Sequence, residues 1–63
     1  MQVIIEYDGK TYKSAIDERD HEEAAEAFYK VSPMEKFKME LEDGSMLLLS
    51  KIAVQSAVII FKK

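Results

Sequence analysis

The chain of 63 residues has no cysteine and no tryptophan, one proline, two glycines and one histidine. Each shortage excludes something. Without cysteine there is no disulfide, and His21 alone leaves a structural zinc without its usual four donors. With 33% charged and 48% apolar residues, so little proline and glycine argues against a long disordered tract. The longest unbroken apolar run, residues 57–61, is far below the roughly 20 residues a membrane-spanning helix needs. No basic segment followed by an apolar run opens the chain, so the expected location is the cytoplasm and no membrane partner is expected.

A chain this short holds one core and is read as a single domain, residues 1–63. It buries only about 60% of the surface its unfolded form exposes, which leaves little stability. Disulfides and metals being absent from the composition, self-association is the remaining way to reinforce it.

Net charge is −3, unfavourable for indiscriminate phosphate binding. Its distribution is uneven. Asp17, Glu18, Asp20, Glu22, Glu23 and Glu26 crowd a stretch whose one base is Arg19, whereas Lys10, Lys13, Lys36, Lys38, Lys51, Lys62 and Lys63 lie elsewhere. The pattern predicts an acidic helix beside a more basic sheet.

Residues 3–7 and 10–16 read as strands joined at Asp8-Gly9, a dipeptide suited to the positive φ angles of a two-residue turn. That loop places Tyr7 opposite Lys10, Ile5 opposite Tyr12 and Val3 opposite Ser14 on the side assigned to the core. Asp17 or Asp20 can cap the following helix, and Asp20-x-x-Glu23 has capping-box spacing. Ala24, Ala27, Phe28 and Val31 form its apolar stripe, with Phe28 as anchor and Pro33 ending it. Residues 34–42 alternate, with Phe37, Met39 and Leu41 on one face and Lys36, Lys38, Glu40 and Glu42 on the other. A second two-residue turn at Asp43-Gly44 would set Met46 opposite Leu41 and Leu48 opposite Met39, pointing Leu47 and Leu49 away from the core. Residues 51–56 fit neither period well and are open between a short helical turn and an irregular connection, with the turn preferred. Residues 58–61, apolar on both faces, resemble an interior strand that pairs with residues 3–5.

The fold class expected is α+β, ββαβββ, a mainly antiparallel sheet of four or five strands with one helix on one face. The other face would then carry Leu47, Leu49, Ile4 and one of each pair in residues 58–61, an apolar patch that predicts a homodimer.

No chemistry-bearing constellation stands out. Each Asp-Gly lacks the glycine-rich loop and following helix of a phosphate cradle. His21 follows Asp17 by four residues, but two such groups make no metal site, and solvated helix surface is the simpler reading. The glutamates lack a desolvating partner and the serines any nucleophile context. No catalysis and no cofactor are therefore expected. Tyr7, Tyr12 and Phe37 invite comparison with base-stacking platforms, but they alternate into the core and the lysines do not interleave with them.

Two stretches, Met1-Gln2-Val3-Ile4-Ile5-Glu6-Tyr7-Asp8-Gly9-Lys10-Thr11-Tyr12-Lys13 and Phe37-Lys38-Met39-Glu40-Leu41-Glu42-Asp43-Gly44-Ser45, resemble the small uncharacterised proteins of bacteriophages and prophages of Gram-positive bacteria. The resemblance implies a phage accessory or host-takeover protein in the host cytoplasm, and carries over no functional residues. The function expected is a non-catalytic protein-interaction module, a modulator of a host protein. It would act through Leu47, Leu49 and Ile4, or through Glu22, Glu23 and Glu26 if the helix imitates nucleic-acid phosphates. The alternative is a small nucleic-acid-binding protein that uses the lysine-bearing sheet face, which the negative charge disfavours.

Overall fold

The computed structural model describes residues 1–32 and 34–63, and the expected end of the helix at Pro33 lies outside them. The chain is α+β, with strands β1 (Gln2–Tyr7), β2 (Lys10–Lys13), β3 (Lys36–Glu40), β4 (Met46–Ser50) and β5 (Val58–Lys62). Helix α1 (His21–Tyr29) separates β2 from β3, and helix α2 (Lys51–Ser56) separates β4 from β5. All pairings are antiparallel, in a three-stranded sheet ordered β2-β1-β5 and a two-stranded sheet of β3 and β4.

The first hairpin follows from its turn. Asp8 and Gly9 both take positive φ, 53° and 76°, as a mirror-image two-residue turn requires, and Tyr7 pairs with Lys10 and Ile5 with Tyr12. Ser14 then ends the pairing with β1. Its N–H donates to the Val3 carbonyl at 2.8 Å, but the Val3 N–H donates to Ser14 Oγ at 2.8 Å, while the Ser14 carbonyl accepts from Gln2 Nε2. One residue further the chain bonds to the second sheet instead, Ala15 N–H to the Glu40 carbonyl and Glu42 N–H to the Lys13 carbonyl. The buried hydroxyl thus keeps Val3 satisfied where the strand leaves one sheet for the other.

The second hairpin differs from the sequence reading by one residue. Gly44 N–H donates to the Leu41 carbonyl and Leu41 N–H to the Ser45 carbonyl, so the loop is Glu42-Asp43-Gly44 with positive φ (90°) at Gly44. This is a type I turn closed by a left-handed glycine, and Asp43 secures it by accepting from the Ser45 N–H and hydroxyl. Register shifts accordingly: Leu47 lies opposite Met39 and Leu49 opposite Phe37. Because strand side chains alternate with period two, the shift turns the whole of β4 over. Leu49 is buried, Leu47 packs against the core, and Met46 and Leu48 face outward.

Between the sheets lies one core, built from Val3 and Ile5 of the first, Phe37, Met39 and Leu49 of the second, and Phe28, Val31, Ala53 and Val54. Phe28 joins the elements, its ring stacked on Phe37 at 3.9 Å between centroids and edge-on to Phe61 at 5.8 Å. Asp20 caps α1 by accepting from the Glu23 N–H at 2.9 Å, and the helix ends at Tyr29 with Lys30 as cap, so Val31 enters the core from beyond the helix. Ser50 caps α2 through the Ala53 N–H, and the six residues left open between a helical turn and an irregular connection form a short helix that buries Ala53 and Val54. The fold therefore has a second helix, and β5 is an edge strand rather than an interior one. Among the described residues no helix is long and apolar enough to cross a membrane.

Candidate protein-interaction faces

Each sheet turns one face to the core and leaves the other uncovered. On the outer face of the three-stranded sheet the register sets Ile4 beside Ile60 and Glu6 beside Val58, with Lys13 on the other flank of Ile4. Outside the two-stranded sheet, Met46 lies opposite Glu40 and Leu48 opposite Lys38. The fractional exposures are 43% for Ile60, 56% for Val58, 59% for Met46 and 51% for Leu48. Ile16, Tyr29, Met34 and Ile52 are more exposed still, but the sheet residues stand side by side on a shared face, an arrangement that solvation alone does not explain.

The candidate residues named from sequence separate under this geometry. Ile4 is on the outer face, half-buried between Lys13 and Ile60. Leu47 and Leu49 are not: the three-residue loop turns them inward, Leu49 buried in the core and Leu47 half-buried against it. Met46 and Leu48 take their place. The run Met46-Leu47-Leu48-Leu49 is apolar on both faces, so its pattern held no signal for the choice. The available signal was Ser45, whose short side chain follows Gly44 and bonds back to Asp43, where Lys10 follows Gly9 in the first hairpin.

Glu22, Glu23 and Glu26 are exposed on α1 and, with Asp20, border a shallow depression. Part of their charge is answered locally, since Glu26 pairs with Lys30 one turn on at 3.7 Å. Asp17 lies before the helix, where it accepts from the backbone and guanidinium of Arg19. The side-chain bond from Arg19 holds the Asp17 carboxyl below the usual carboxylate range, assisted by the Arg19 N–H. His21 opens the helix, so the four-residue spacing from Asp17 is not a helical one.

The lysines do not form one face. Lys13 is outside the first sheet, Lys36 and Lys38 are outside the second, and Lys10 shares the side of Tyr7. Two of the clefts among the described residues lie over the core. One, of about 510 Å³, lies under residues 14–19 against Phe28 and Met39; the other, of about 380 Å³, lies between α1, α2 and β5 over Phe28, Val54 and Ile59. Among the described residues no cluster of three or more His, Asp or Glu side chains is placed to hold a metal ion.

No protein-family model, curated protein or solved structure matches the chain. Its surface geometry is accordingly what bears on its role.

Proposed function

We propose that the chain is a non-catalytic protein-interaction module that binds a protein partner through the outer faces of its sheets. The observation that carries this is the pairing of exposed aliphatic side chains there, Ile60 and Val58 beside Ile4 on one sheet and Met46 and Leu48 on the other. In a domain of this size such exposure is a cost that a bound partner removes. The resemblance of residues 1–13 and 37–45 to small phage and prophage proteins supports a phage accessory protein that modulates a host protein in the cytoplasm.

Capture from a bacterial lysate on the immobilised chain tests it, with Ile60→Lys and Leu48→Lys as variants that keep the core intact. Loss of a captured protein in either variant, with unchanged circular dichroism, is the expected result. Capture abolished instead by reversing Glu22, Glu23 and Glu26 to lysine would move the site to α1. Salt-sensitive oligonucleotide binding tighter than about 10⁻⁵ M at physiological salt would replace the proposal with a nucleic-acid role.

A further inference from the structure

The face outside β2, β1 and β5 is patterned as well as apolar. Its register gives three rows across the strands: Thr11, Glu6 and Val58; then Lys13, Ile4 and Ile60; then Gln2 and Lys62. Isoleucines occupy the middle, an anion stands at one end and a cation at the other. Glu6 and Lys62 are exposed and, among the described residues, neither forms an ion pair within its own chain.

Resting on the interaction reading above, we propose that this face binds a second copy of the same chain, sheet against sheet, about a two-fold axis crossing the strands at Ile4 and Ile60. Such an axis reverses the rows between copies and keeps the strands in order. Ile4 and Ile60 then meet their own counterparts. Glu6 of each copy comes within one strand of Lys62 of the other, and Val58 covers the aliphatic stem of that lysine. The Glu6–Lys62 contact is made twice, as a closed isologous interface requires. The same axis sets Lys13 against its own counterpart, at the exposed β2 margin where both ammonium groups reach solvent.

The β3/β4 face lacks this self-complementarity. Its middle row is Lys38 and Leu48, so the same operation would set Lys38 against Lys38 with one leucine pair beside it, where the three-stranded face sets two isoleucine pairs beside Lys13. That face remains free for a different protein.

Sedimentation equilibrium of the purified chain, from about 10 µM to 1 mM, is expected to show the 7.2 kDa chain in exchange with a species of twice that mass. Ile60→Lys should raise the dissociation constant about tenfold or more. Glu6→Lys and Lys62→Glu should each raise it several-fold, and the two together should return it to within about twofold of wild type. Leu48→Lys should leave it unchanged. Circular dichroism and thermal melts establish that every variant is folded. The inference is overturned by a wild type that stays at 7.2 kDa throughout, by a double reversal no tighter than either single one, or by Leu48→Lys dissociating the dimer as Ile60→Lys does. A monomeric wild type that still loses a captured protein on Ile60→Lys would overturn self-pairing alone and leave the interaction reading standing.

Discussion

Phe28 of α1 stacks on Phe37 of β3 with ring centroids 3.9 Å apart and planes inclined by 25°. Its other side meets the edge of Phe61, so one side chain holds the helix to both sheets. Removing it empties the middle of the core. Phe28→Ala is expected to cost about 3–5 kcal/mol, most of the stability of so small a domain. Thermal melts check this, and a variant that melts like wild type would show that α1 contributes little to the core.

Leu48 and Leu49 are neighbours with opposite fates, and the contrast tests the β3/β4 register. Leu49→Ala should destabilise by about 2–5 kcal/mol, through lost burial and a cavity, whereas Leu48→Ala should stay within about 0.5 kcal/mol. Urea titrations that reversed this order would restore the two-residue loop.

Ser14 is the hinge between the sheets. Ser14→Ala leaves the buried Val3 N–H without its acceptor, which should cost about 1–3 kcal/mol. Hydrogen exchange should show the largest loss of protection at Val3 and Ala15, on either side of the sheet junction. Uniform loss over the chain would argue against a local role.

At Gly44 an added Cβ would meet nothing within 4 Å, so any cost of substitution comes from its φ of 90°. Gly44→Ala should therefore cost about 1–2 kcal/mol, and Gly44→Asn less, since asparagine tolerates the left-handed region. Equal melting of all three would place the positive φ elsewhere.

The depressed pKa of Asp17 makes acid stability testable. A carboxyl lowered in the folded state contributes stability that is complete above its ordinary value of 3.8 and is lost as pH falls through the folded value. Below about pH 4 wild type should therefore lose melting temperature faster than Asp17→Asn. Because the Arg19 side chain is 48% exposed, water screens the pair and the difference should be at most about 1 kcal/mol. Parallel curves would mean that the pair adds no stability.

Most features that depend on residues adjacent in the chain were legible from sequence, the length of the second hairpin's loop excepted. Asp8-Gly9 fixed the first hairpin and its register, Asp20 marked the start of α1, and the alternation of Phe37, Met39 and Leu41 showed which face of β3 is buried. Steric limits on φ and hydrogen-bonding reach act over three or four residues, so local sequence suffices for them.

The candidate interface depended on the length of one loop and on tertiary contacts, neither of which the apolar pattern of β4 encodes. An apolar run such as Met46-Leu47-Leu48-Leu49 can bury either of its faces, and a single extra loop residue at Glu42-Asp43-Gly44 decided for Leu47 and Leu49. Likewise residues 58–61 are apolar enough for an interior strand, yet β5 lies at an edge, with β1 as its one strand neighbour. Composition and spacing thus determined the five strands, the first helix and the turn of the first hairpin, and left residues 51–56 open. Tertiary packing decided which aliphatic side chains reach the surface, because burial depends on which strands and helices meet across the core.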